Sequence, residues 1–62
     1  MATVIRTLRE AKNMTQEELA RKAKVTQGYI GHLERGLKKN PSLEIVKRLA
    51  RALGVPVTEL VE

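Results

Sequence analysis

The chain has 62 residues, of which twelve are Lys or Arg and seven are Asp or Glu, for a formal charge of +5 and an isoelectric point near 10.1. There is no cysteine, so neither a disulfide framework nor a thiolate zinc site can staple the fold, and a soluble, intracellular protein of one domain over residues 1–62 is expected. No apolar run approaches the roughly 18 residues needed to span a membrane, and the first residues lack the apolar stretch of a signal peptide. The basic balance favours a polyanionic partner, nucleic acid being the commonest, although solubility alone can account for a charge of this size.

Apolar residues recur at three- and four-residue spacing, without strand-like alternation, which predicts an all-α fold of four to five helices. A first helix is expected over about residues 2–12, with Ile5, Leu8 and Ala11 inward, and Asn13 suits the left-handed position that often follows a helix. Thr15 and Glu18 have the spacing of a capping box that opens a second helix, running to about Ala23 with Leu19, Ala20 and Ala23 buried. Thr26 is the expected cap of a third helix that stops before Gly36; only Lys24 and Val25 separate it from the second, so the two must turn sharply. Pro41 and Ser42 precede a fourth helix carrying Leu43, Val46, Leu49, Ala50 and Leu53 on its buried side and ending at Gly54. A last helical turn is expected over residues 57–61.

The third helix contains two glycines, each costing roughly 1 kcal/mol relative to alanine. On a wheel of about 100° per residue, Ile30 and Leu33 define its buried side, whereas Gly28, Gly31 and Arg35 fall opposite, with Gln27 and His32 at the edges. An outward face of Gln, Gly, Gly, His and Arg combines hydrogen-bonding groups with little bulk. That suits close approach to the DNA major groove, where Gln can pair bidentately with adenine and Arg with guanine. The alternative is that both glycines are inert surface residues. Catalysis finds little support: His32 is the only histidine and the carboxylates are scattered, so neither an enzymatic site, a metal nor a cofactor is expected.

The stretch QEELARKAKVTQGYIGHLERG, together with LRE at residues 8–10 and the NPS and RLARALGV segments between Asn40 and Val55, resembles lambda-repressor-like helix-turn-helix domains of the XRE (Cro/C1) type. The run from Tyr29 through NPS is most similar to Sin-type repressors. The resemblance implies a compact domain that binds double-stranded DNA as a prokaryotic or phage-type transcriptional regulator, of repressor type, cytoplasmic and nucleoid-associated. The same fold also occurs in antitoxins and bridging factors that act as protein-interaction modules, which is the competing reading.

Carried over by position, the resemblance implies that Gln27, Gly28, Gly31 and His32 contact bases. Thr15, Gln16, Arg35, Lys38, Lys39 and Asn40 would contact phosphates, with Gln16 either on a phosphate or bracing Gln27. The lysines of the loop are otherwise simply solvated. Lys47, Arg48 and Arg51 would form a solvated face on the fourth helix. Arg9 and Glu34 occupy the positions of a partly buried ion pair, and Lys24 stands where relatives usually have a glycine in a left-handed conformation. Many relatives bind as homodimers on two-fold operators. Val55, Pro56, Val57 and Leu60 are the candidate dimer contact, the alternative being that they close the core of a monomer.

Overall fold

The computed structural model describes residues 2–37 and 41–61. Four helices, α1 (Ala2–Ala11), α2 (Gln16–Ala23), α3 (Gln27–Glu34) and α4 (Leu43–Leu53), are followed by a 3₁₀ turn at Val57–Glu59. Helix α2 packs on both α3 and α4, α1 packs on α3, and the 3₁₀ turn packs on α4. Ile5, Leu19, Ile30, Leu33, Leu49, Leu53 and Leu60 are fully buried, at least one from each of the four helices and Leu60 from just after the 3₁₀ turn, and Met14, Ala20, Ala23, Val46 and Ala50 fill the space between them. Each fully buried Leu or Ile contributes about 1.5–3 kcal/mol relative to exposure, so this aliphatic centre supplies the main drive to fold.

Helices of eight residues are unstable alone, and here their ends are individually satisfied. The Thr15 hydroxyl accepts from the Glu18 amide at 3.0 Å while the Thr15 amide donates to Glu18 Oε1 at 3.0 Å, completing the capping box. Thr26 and Ser42 cap α3 and α4 by accepting from the amides of Tyr29 and Ile45. At the other ends, Met14, Val25, Leu37 and Val55 donate their amides back to the carbonyls of Arg9, Ala20, His32 and Ala50, each at 2.9–3.0 Å. This closure requires a left-handed residue just before the donor. Gly36 and Gly54 fill it for α3 and α4, with φ of 74° and 71°, but Asn13 and Lys24 fill it for α1 and α2, with φ of 55° and 59°.

Three residues depart from the expected pattern. Ala11 is exposed, because α1 reaches the core through Ile5 with Val4 and Leu8 only half-buried beside it. Leu43, expected inward, is 62% exposed: it is the first residue of α4 and lies off the stripe made by Val46, Leu49, Ala50 and Leu53. Leu60 is wholly buried within its own core, so it offers no surface to a second copy. Val55 and Val57 are half-buried against the same core, while Pro56 is exposed and starts the 3₁₀ turn without a side-chain cap.

The left-handed conformation of Lys24 is disfavoured for a residue with a Cβ by about 1–2 kcal/mol, which glycine avoids at the cost of greater freedom when unfolded. Lys24→Gly is therefore expected to stabilise the fold by up to about 1 kcal/mol, seen as a higher midpoint in urea denaturation. An unchanged or lower midpoint would contradict the strain.

Candidate nucleic-acid interface

Helices α2 and α3 are joined by Lys24, Val25 and Thr26 alone, and Val25 is half-buried against the core. The left-handed Lys24 reverses the chain, and Thr26, extended at φ −82° and ψ 156°, aims it into α3. Ile30 and Leu33 then anchor α3 from behind. The opposite side of α3 leaves Gln27, Gly28, His32 and Arg35 exposed. Among the described residues, nothing beyond its own helix backbone and chain neighbours lies within 4 Å of where a Cβ would stand on Gly28, so that stretch of helix is open to close approach.

Gly31 differs from the helical-wheel expectation of an open, outward position. It is buried, and a Cβ built there would lie 3.4 Å from Arg35 Nη1 and 3.8 Å from Gln16 Oε1. The Arg35 and Gln16 side chains lie over the glycine, which a wheel of α3 alone cannot foresee. The absence of a side chain at position 31 thus gives those two polar groups room to lie flat against α3. Among the residues expected at bases, Gln27, Gly28 and His32 share the exposed surface, and Gly31 is reachable only past Gln16 and Arg35.

Beneath this surface is a buried polar network. Arg9 Nε donates to Glu34 Oε2 at 2.7 Å and Arg9 Nη2 to Glu34 Oε1 at 3.1 Å, a two-pronged pair between α1 and α3. Arg9 Nη1 also donates to the Met14 carbonyl at 2.7 Å, and Gln16 Nε2 donates to Glu34 Oε1 at 3.0 Å. The side chains of Arg9 and Glu34 are only 11% and 3% exposed. Burial pushes the Glu34 carboxyl up, but the hydrogen bonds from Arg9 and Gln16 and the Arg9 charge outweigh it and hold the group below its ordinary value of 4.5. The Glu34 hydrogen bond likewise raises Arg9 against the opposing effect of burial.

Gln16 is therefore held to Glu34, which the sequence reading missed; the single signal available was its position one residue past the cap of α2. Its amide has a second N–H, and the exposed Thr15 hydroxyl keeps its proton, so both can still donate outward from the start of α2. Lys38, Lys39 and Asn40 lie outside the described residues. Arg48 departs from the expected solvated face: it is half-buried, whereas Lys47 and Arg51 are exposed.

A family model described as helix-turn-helix matches residues 5–60. The chain belongs to the XRE-type helix-turn-helix family. Within that family it is 44% identical over 54 residues to an HTH-type transcriptional regulator of Sinorhizobium fredii, covering 87% of this chain and 69% of that protein. It is 35% identical over 57 residues to the HTH-type transcriptional regulator SlrR of Bacillus subtilis, covering 92% of this chain but 38% of that protein. The chain thus spans well under half of that longer regulator. Among solved structures it is similar to SinR, a master regulator for biofilm formation, in complex with DNA: TM-score 0.92, 33% identity, 98% of this chain and all of that one. The all-α, lambda-repressor-like arrangement is shared with these helix-turn-helix relatives.

Stranding a buried charge costs about 3–5 kcal/mol, whereas most exposed substitutions change stability by less than about 0.5 kcal/mol. Glu34→Ala is expected to lower the melting temperature far more than Glu17→Ala, and equal melting temperatures would defeat the role given to the network. Because folding depresses the Glu34 pKa, its contribution is complete above the ordinary value near 4.5 and is lost as pH falls through the lower folded value. Stability measured across that acid range should fall less steeply for Glu34→Gln than for the wild-type chain.

Proposed function

We propose that this chain is a sequence-specific double-stranded DNA-binding module of a transcriptional regulator of repressor type, with α3 seated in the major groove. The observation that carries this reading is the exposed, nearly bulk-free strip of Gln27, Gly28 and His32 on a helix anchored by Ile30 and Leu33. The similarity to SinR in complex with DNA supports it. Gln27 is the residue best suited to pair with a base edge, adenine above all, and His32 can donate or accept one hydrogen bond. Gly28 admits the groove wall close to the helix backbone.

Thr15, Gln16 and Arg35 supply the phosphate contacts. The α2 N-terminus presents free amides to an anion, and Arg35, lying across Gly31, reaches outward from the end of α3. The network under Glu34 keeps the start of α2 and the end of α3 at a fixed separation, so phosphate contacts and base contacts are made in one register. Two copies would read a two-fold operator with half-sites one helical turn apart, roughly 34 Å. The exposed Pro56 and half-buried Val55 and Val57 are the contact proposed between them.

Fluorescence anisotropy across a salt series tests the reading. Affinity for duplex DNA should fall steeply with salt, and Arg35→Ala should weaken binding to all sequences while reducing the salt slope by about one. Gln27→Ala should cost about 1–3 kcal/mol on a selected operator and relax specificity there. Weak binding insensitive to salt would favour a protein-interaction module instead.

Gly28 offers a sharper case, since an alanine there meets no other side chain among the described residues and gains up to about 1 kcal/mol of helix propensity. Gly28→Ala is expected to raise the melting temperature by about 4–8 °C yet weaken operator binding. A stabilised variant with undiminished affinity would show that the glycine serves no close approach.

A further inference from the structure

Away from α3, the end of α2 and one face of α4 enclose an open-sided pocket of about 420 Å³ lined by Lys22, Lys24, Glu44, Arg48 and Arg51. Glu44, Arg48 and Arg51 follow one another at four- and three-residue spacing, so they share a face of α4. Four cations and one carboxylate therefore line the same pocket. None of the residues assigned above to bases or phosphates lines this pocket.

Two of the residues that line it carry local anomalies. Among the described residues, Arg48 Nε is the buried side-chain polar atom that has no hydrogen-bond partner. An arginine N–H removed from water without an acceptor is unfavourable, and native folds rarely leave one so. The second is Lys24, which lines the same pocket from a left-handed backbone that glycine would adopt without strain. A strained residue persists where something else favours it, and here the strained residue contributes a cation to the rim. Arg48 Nε itself is shut off from solvent, so an oxyanion in the pocket would be held by the terminal Nη groups of that guanidinium and by the surrounding charges.

We propose that this pocket binds a phosphate-class oxyanion, with Arg48 as the inner, forked donor and Lys22, Lys24 and Arg51 as the surrounding charge. A tetrahedral phosphate presents several charged oxygens and can meet the planar guanidinium on one side and lysine ammonium groups on another. Glu44 opposes the ligand and offsets part of the positive charge of the rim. The phosphate could be a free small anion or the backbone of DNA extending past the recognition surface. The chemistry at the pocket is the same for both.

The test is a nuclear magnetic resonance titration with inorganic pyrophosphate at constant ionic strength. Saturable shifts are expected at the amides of residues 22–24 and 44–51 and at the Arg48 Nε–H signal. Arg48→Lys, which keeps the charge but loses the fork, should weaken binding about tenfold, and Arg51→Gln should weaken it several-fold. Lys24→Gly is decisive because the strain argument makes it more stable, so its loss of pyrophosphate affinity cannot be attributed to unfolding. Adding duplex DNA then separates the sources: displacement of pyrophosphate identifies the DNA backbone, and undisturbed binding identifies a free anion. Shifts spread over all lysines without saturation, or unaltered by these three substitutions, would overturn the site.

Discussion

The Arg9–Glu34 pair, with Gln16 and the Met14 carbonyl as its further partners, is the interaction on which the rest of the geometry depends. Two charges are taken almost fully out of water, and that is tolerable only because three donors of the guanidinium and both oxygens of the carboxylate are occupied. The network touches α1, the turn before α2, the first residue of α2 and the last residue of α3. A hydrophobic contact of the same size would bind these pieces together without fixing their angles, because it has no directional requirement. The forked hydrogen bonds set one angle and one register.

That constraint bears on the exposed surface because α3 carries little of its own. With eight residues and two glycines, it has low intrinsic helicity, and its outward side has no bulk with which to brace itself. It is held at its start by Thr26, at its middle by Ile30 and Leu33, and at its end by Glu34. Open backbone at Gly28 and covered backbone at Gly31 are consequences of the same arrangement, since Gln16, drawn to Glu34, lies across one glycine and leaves the other clear. The stability lost to glycine on this face is recovered in the core and the network, where neither contact obstructs the exposed strip.

The helix ends show a second economy. All four helices finish with the same closing hydrogen bond, yet only two use glycine for the left-handed residue it demands. Asn13 tolerates that conformation comparatively well, as asparagine commonly does. Lys24 does not, and it is the one that lines the basic pocket with Arg48. Strain in the turn and an unpaired donor on α4 thus belong to two residues that are distant in sequence and line one pocket.

The features legible in the sequence were those set by neighbours along the chain. Thr15 with Glu18, Thr26 and Ser42 as caps, the stops at Gly36 and Gly54, and the inward stripe of Val46, Leu49, Ala50 and Leu53 all follow from hydrogen bonds and periodicity within a few residues. Arg9 and Glu34 could be paired from family resemblance but not from periodicity, since 25 residues separate them. What only the tertiary structure decided was which side chains from other elements cover a given face. Gly31 is outward on its own helix and buried in the fold because Gln16 and Arg35 lie over it. Leu43 is apolar but lies off the stripe that α2 covers, Leu60 is consumed by its own core, and Arg48 joins Lys22 and Lys24 from another element. A helical wheel fixes direction relative to one axis, whereas burial depends on the neighbouring axes, which no local pattern contains.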